Sequence, residues 1–221
     1  MSLVSVIVPV YFNAESLAPL VQGLQKATAS LKGYSFEFIF VDDGSQDRSF
    51  ETLLQLRKRE SRIKILKLSR NFGSHCAILA GFSRSNGVCH MILGADLQDP
   101  PEIIGEFLRK WREGYKIVVG IRKERHDPWM TEQLANLYYL AMRYTFRNMP
   151  RKGFDIFLLD ECVRHFLLQI GTRNLSLVAS ILWTGYAVGE VPYVRGERPF
   201  GRSRWSLRKS PRMHVEARGR P

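Results

Sequence analysis

Four short clusters in this chain combine residue types that could do chemistry, and each follows an apolar run: Pro9-Val10-Tyr11, Asp42-Asp43-Gly44, Ser69-Arg70-Asn71 and Gly94-Ala95-Asp96. A carboxylate at the end of a strand, such as Asp43, is placed to accept hydrogen bonds from a ribose or base. One Asp is enough to start the Asp-Gly turn, so the second in Asp42-Asp43 invites another role. Asp96, with Gln98 two residues on, offers oxygen ligands of the kind that hold a hard cation together with substrate phosphates. Asp99 is explained as a helix cap, because Asp99-Pro100-Pro101-Glu102 has Asp at the cap, Pro at the first position and Glu at the third. Tyr11 could flank a flat base or simply line the rim. Seven arginines (70, 122, 125, 195, 198, 202 and 204) surround these clusters in sequence order, and a guanidinium matches phosphate oxygens two at a time.

The elements that must position these clusters alternate. Apolar runs over residues 3–10, 36–41, 63–68, 88–93 and 116–120 read as strands. Helical spacing appears over 15–31, 47–60, 74–85 and about 99–113. Near-continuous apolar strands alternating with helices predict an α/β fold, a mostly parallel sheet with helices on both faces. Ligands in such a sheet bind beyond the carboxyl ends of the strands at a switch point. Asp96 therefore converges with Pro9 and Asp43 if the first and fourth strands are neighbours. Beyond residue 122 the pattern changes. Residues 130–146 read as a helix, 153–159 as a short apolar segment, 160–169 as a helix, 175–183 as apolar on most sides and 188–194 as a strand. Residues 210–221 read as a basic disordered tail.

Composition narrows the classes. The chain has 221 residues, 45% hydrophobic and 24% charged, as in an ordinary globular domain. No apolar run reaches the length of about 18 residues that a membrane-spanning helix needs, and the first residues lack the basic start and cleavage site of a signal peptide. Net charge is +12. Residues 195–221 hold nine Lys or Arg against two Glu, a net +7, which leaves +5 for the rest. That skew points to an anionic partner. Cys76, Cys89 and Cys162 lie in apolar stretches without ligand spacing and read as small buried hydrophobes of a reducing compartment. Neither G-x-G-x-x-G after the first strand nor a phosphate-binding G-x-x-x-x-G-K-[ST] occurs, which disfavours a dinucleotide oxidoreductase and a P-loop enzyme. The five histidines share no zinc spacing.

Seven stretches, VSVIVPVY (4–11), FIFVDDGSQDRS (38–49), LSRNFG (68–73), GADLQDPPEII (94–104), VVGIR (118–122), GFDIFLLD (153–160) and RPFGRSRWSLRK (198–209), together resemble the family 2 glycosyltransferases of GT-A fold. Within them, the chain is similar to the polyprenyl-phosphate glycosyltransferase group, which contains dolichol-phosphate mannosyltransferase and bacterial undecaprenyl-phosphate sugar transferases. The resemblance implies a GT-A domain over residues 1–209, with a nucleotide-sugar half to residue 122 and an acceptor half from 123. It implies inverting transfer from a nucleotide-diphosphate sugar, a UDP-sugar being favoured, to a polyprenyl phosphate, with Mg²⁺ or Mn²⁺ as cofactor. By motif position, Pro9, Tyr11, Asn13, Val41, Asp43, Arg70, Ala95, Asp96, Gln98, Arg122, Arg198 and Arg204 would bind the donor. Asp96 and Gln98 would meet the metal, and Asp155 joins Asp96 as a catalytic candidate.

Three departures accompany the resemblance. The metal motif usually reads Asp-Ala-Asp but here begins with Gly94. An acidic residue often found two after the first-strand Tyr is Asn13, with Glu15 two further on. Members of this group usually continue into membrane helices after the Trp205 motif, which implies a truncated or altered C-terminus. The expected location is the cytoplasmic membrane face, held peripherally through 175–183 and the basic segment. No nucleic-acid partner is expected, and a homo-oligomer stays open. Two other readings stand beside this one: a soluble family 2 transferase with a glycan hydroxyl acceptor, and a catalytically degenerate nucleotide-sugar binder.

Overall fold

The computed structural model describes residues 1–123, 148, 150, 154–171, 176–197 and 199–200. Among these residues seven strands form one sheet: β1 (Ser2–Val10), β2 (Tyr34–Asp42), β3 (Ile63–Lys67), β4 (Cys89–Ile92), β5 (Ile117–Arg122), β6 (Phe157–Asp160) and β7 (Val188–Tyr193). Among the described residues six helices accompany them: α1 (Ala14–Ala29), α2 (Ser49–Arg59), α3 (Ser74–Ser83), α4 (Ile104–Arg112), α5 (Glu161–Gln169) and α6 (Leu177–Trp183).

The strand order is β3-β2-β1-β4-β6-β5-β7. Every pair is parallel except those of β6, which runs antiparallel to both β4 and β5. The first and fourth strands are neighbours, so the order reverses between β1 and β4 and opens a crevice beyond their carboxyl ends. Side chains alternate as a strand requires. Val4, Val6, Val8 and Val10 join Phe38 and Phe40 under α1, α2 and α4, where Leu17, Leu20, Leu53 and Phe107 complete one core. Ile7, Ile39 and Val41 face the other way, against Phe82 of α3, Val163 and Leu167 of α5 and Ile181 of α6. Both faces are thus covered, and the mostly parallel α/β architecture expected from the sequence is the one observed.

Several expectations need correction. Residues 153–159 hold more than a short apolar segment, because Phe157–Asp160 enters the sheet between β4 and β5. The helix expected from Asp99 begins later, as a 3₁₀ turn over Pro101–Ile103 leading into α4, and no side chain caps it. On α2, the apolar residues expected from helical spacing do not all turn inward: Leu53 is fully buried, Phe50 and Leu56 are half-buried and Leu54 stays exposed. Cys89 is buried, but Cys162 lies on the surface, because the inward stripe of α5 is carried by Val163 and Leu167. The helix expected over 130–146 and the tail over 210–221 lie outside the described residues.

Candidate active site at the carboxyl edge of the sheet

Hydrogen bonds tie the loops after the first four strands to one another. Asp43 N–H donates to the Val10 carbonyl (2.8 Å), which sets Asp43 beside Tyr11. Phe12 N–H donates to Ser45 Oγ (3.1 Å) and Asn13 N–H to Ser49 Oγ (2.9 Å), fastening the β1 loop to the β2 loop. Asn13 spends its own Oδ1 on the Tyr11 N–H (3.0 Å). Ser16 Oγ donates to the Ala95 carbonyl (2.6 Å) and so joins the start of α1 to the β4 loop. Both oxygens of Asp43 accept backbone N–H groups, from Phe72 (2.8 Å) and Gly73 (2.9 Å), and hold the loop after β3. Gly44 has φ +71, and a Cβ there would stand 2.5 Å from the Arg70 carbonyl carbon. Only glycine lets these two loops touch.

The paired carboxylates after β2 divide their duties. Asp42 Oδ1 takes the Ser45 N–H (3.2 Å) as a turn residue, while its Oδ2 is buried without a hydrogen-bond partner. Asp43 is only 3% exposed, and burial pushes its carboxyl above the ordinary range despite the two backbone N–H groups. Arg70 is exposed, with its guanidinium over the Phe72 ring (4.6 Å). A cleft of about 450 Å³ beside this junction is lined by Phe12, Asn13, Ala14, Glu15, Ser16, Asp47, Arg48 and Phe200.

The second half of the chain returns to the same edge. Ile92 pairs with Phe157, so the residues leading into β6 sit beside those leaving β4, and Asp155 arrives near Asp96. Tyr193 pairs with Arg122, which brings Arg195 just beyond β5. Arg122 forms an ion pair with Asp155. The Arg195 guanidinium lies among three carboxylates, 3.8 Å from Asp96, 3.8 Å from Asp99 and 3.9 Å from Asp155. Asp99 Oδ1 accepts from the Tyr193 hydroxyl (2.9 Å). Burial pushes the Asp99 carboxyl up, and burial beside Asp99 pushes the Tyr193 hydroxyl up to about 12. Gln98 is bound twice to the segment after β7: its carbonyl accepts from Gly196 N–H (2.8 Å) and its Nε2 donates to the Gly196 carbonyl (3.2 Å).

A cation would find ligands here. A Cβ on Gly94 would lie 3.1 Å from Asp96 Oδ1 and 3.1 Å from Asp99 Oδ2, so both oxygens face the space that glycine leaves open. Among the described residues no group of three His, Cys, Asp or Glu forms a metal cluster. A cation held mainly by one or two carboxylates, with substrate phosphates and water completing its shell, fits such a site.

The Glycosyl transferase family 2 profile matches residues 5–168. The chain belongs to glycosyl transferase family 2. It is 34% identical over 214 residues to the uncharacterized glycosyltransferase YkcC of Bacillus subtilis, covering 96% of this chain and 66% of that protein. It is 35% identical over 210 residues to the undecaprenyl-phosphate 4-deoxy-4-formamido-L-arabinose transferase of Edwardsiella ictaluri, covering 93% and 64%. The chain thus spans just under two thirds of the length of these relatives. Among solved structures, the mannosyltransferase PcManGT of Pyrobaculum calidifontis, in complex with GDP-Man and Mn²⁺, superposes with a TM-score of 0.63 at 17% identity, over 90% of this chain and 57% of that one, a likeness of fold.

In this family 2 domain the structure brings Pro9, Tyr11, Asn13, Val41, Asp43, Arg70, Ala95, Asp96, Gln98, Arg122 and Asp155 to one edge of the sheet. Arg198 and Arg204 lie outside the described residues. Asp99, Tyr193 and the buried oxygen of Asp42 were missed as site groups. The Asp-Pro-Pro-Glu spacing hid Asp99 behind a cap, and nothing local to Tyr193 signals that its hydroxyl meets a residue 94 positions away. Among the described residues no helix is long and apolar enough to cross a membrane.

Proposed function

We propose that this family 2 domain moves a sugar, with inversion, from a nucleotide-diphosphate sugar to a polyprenyl phosphate. The observation that carries the reading is the convergence at one edge of the Tyr11, Asp43 and Asp96 loops with Asp155, Arg122 and Arg195. Tyr11, Asn13 and Asp43, with Pro9 and Val41 behind them, would take the base and ribose, and UDP is the favoured nucleotide. Asp96 and Asp99, with Gln98 alongside, would hold Mg²⁺ or Mn²⁺. Such an ion, when bound, neutralises charge developing on the leaving diphosphate. Arg122 and Arg195 would hold phosphate oxygens, and Arg198 and Arg204 take the same role by motif position.

Two features favour a phosphate acceptor over a hydroxyl. A phosphate monoester has its second pKa near ~6 and is largely dianionic at neutral pH, so it attacks without a strong base. Asp155 is ion-paired to Arg122, which suits a carboxylate that orients cationic groups more than one that takes a proton. The undecaprenyl-phosphate acceptor in the name of the Edwardsiella relative supports the lipid part of the reading. Contact with the membrane would be peripheral, through the Trp183 end of α6, where that residue is 72% exposed, and through the basic segment.

The test is transfer from UDP- and GDP-sugars to polyprenyl phosphate, with and without EDTA. Transfer that requires the metal and disappears in Asp96→Ala is expected. Full activity of that variant would remove Asp96 from the site. Transfer only to glycan hydroxyls, abolished by Asp155→Asn, would replace the phosphate reading.

A further inference from the structure

Arg195 is placed unlike any other cation described in the chain. Its three guanidinium nitrogens face three different carboxylates: Nη2 toward Asp96, Nε toward Asp99 and Nη1 toward Asp155, at 3.8, 3.8 and 3.9 Å. None of these reaches the 2.7–3.2 Å of an N–H···O hydrogen bond. By contrast, Arg62 grips Glu60 through two nitrogens at 2.8 Å each. Arg195 Nε is moreover buried with no hydrogen-bond partner. The guanidinium therefore balances charge without being locked in place. Its backbone, however, is fixed, because the next residue, Gly196, exchanges two hydrogen bonds with Gln98. A fixed backbone with a loosely held head is a pivot.

The place that head occupies is informative. Asp99 is only 3% exposed, its Oδ1 is committed to Tyr193, and its Oδ2 is turned toward Gly94 beside Asp96 Oδ1. Three carboxylates arranged around one guanidinium put negative charge on every side of it, and a cation at that place offsets the charge. Arg122 compensates Asp155, and Arg195 is the cation shared by all three.

We propose that Arg195 is a resident counter-cation: its guanidinium holds the carboxylate cup of Asp96, Asp99 and Asp155 until a nucleotide diphosphate arrives with a divalent cation, and then turns onto the phosphate oxygens. The proposal rests on the nucleotide-sugar reading above. It makes metal and nucleotide binding mutually dependent, since the bare ion must compete with the guanidinium while the ion–diphosphate pair offers that guanidinium a new anionic partner.

The experiment measures Mn²⁺ binding to the full chain without nucleotide, from the free-ion paramagnetic resonance signal, and UDP binding by calorimetry with Mn²⁺ present. Arg195→Met, which keeps the apolar stem, is expected to tighten Mn²⁺ alone by about tenfold or more, the scale of removing a unit charge near 4 Å in a partly buried site. The same change is expected to weaken UDP in the presence of Mn²⁺. Arg195→Lys keeps the charge and should bind Mn²⁺ as weakly as the wild type, and adding Asp99→Asn to Arg195→Met should erase the gain. Circular dichroism checks folding, and Arg195→Gln repeats the charge removal should the Met variant fail to fold. If Arg195→Met and Arg195→Gln leave Mn²⁺ affinity unchanged while wild-type chain still binds UDP with Mn²⁺, the counter-cation role is overturned and the donor reading stands. A wild-type chain that binds neither UDP nor GDP with Mn²⁺ overturns both.

Discussion

A carboxylate beside its own arginine is a poor proton acceptor, and Asp155 has Arg122 paired to it and Arg195 at 3.9 Å. If it orients those cations around a phosphate acceptor, Asp155→Asn should lower kcat by about 10- to 100-fold without abolishing turnover, the range of a misplaced positioning group; steady-state kinetics with polyprenyl phosphate would measure it. Asp99 carries a different consequence. Burial raises its carboxyl, outweighing the Tyr193 hydroxyl and Arg195. The folded chain therefore keeps a proton that the unfolded chain has already released. The stability linked to that proton is complete below the ordinary Asp value near ~3.9 and is lost as pH rises through the raised folded value. Asp99→Asn never ionises, so its Tm should gain on the wild type between pH 3 and pH 7 and sit above it at neutrality. A Tm gap that stays constant over that interval would contradict this assignment. Asp43 and Asp96 were legible in the sequence as strand-end carboxylates. Asp99 was not, because a local cap motif and a long-range partner make the same residue necessary and only the second is used.

Between elements, small residues and charged clasps decide how closely the loops meet. Gly44→Ala must place a Cβ at φ +71 and 2.5 Å from the Arg70 backbone. A loss of about 1–3 kcal/mol is expected in urea unfolding, together with weaker nucleotide binding as the loop after β3 is pushed from Asp43. On another edge, Glu60 joins the turn after α2 to α1 and β3 through Arg62 and Gln25. The Arg62 hydrogen bonds hold its carboxyl down at about 2. The stability they contribute is present above the ordinary Glu value and is lost as pH falls toward the folded one. Glu60→Gln should thus cost about 1 kcal/mol at pH 7, the partly exposed Arg62 limiting the effect, and almost nothing near pH 2. Comparing urea midpoints at the two pH values tests it. Strands β1 to β5 were readable because each is an apolar run that leads into or follows a helical pattern. Strand β6 was hidden, since three apolar residues and an aspartate before a helix announce neither a strand nor its direction, and the antiparallel pairing is settled by the space between β4 and β5.

At the level of the whole molecule, charge and topology set the behaviour. The net +7 of residues 195–221 lies downstream of the sheet edge where the site sits. Each Lys or Arg close to an anionic leaflet contributes about 1 kcal/mol. The chain should therefore float with anionic liposomes at low salt and be released by about 0.5 M salt, where charges are screened within a few ångströms; absence from the floating fraction at low salt would refute membrane contact by this segment. The layered α/β architecture followed from alternation alone, whereas the late return of Asp155 and Arg195 depends on pairings of high sequence separation that no local pattern encodes. The inserted strand also has a consequence for how the chain reaches its native state. During synthesis β1 to β4 can assemble as soon as residue 92 is available, but both sheet partners of β5 are made after it. Until Phe157–Asp160 appears, β4 presents a bare edge and β5 is a ready parallel strand for it, so the two can zip together wrongly. That mispair has to open before the native neighbour slides between them, and a slow final phase in refolding, sped by weakening β4–β5 contact and slowed by weakening β6, is the kinetic signature to look for.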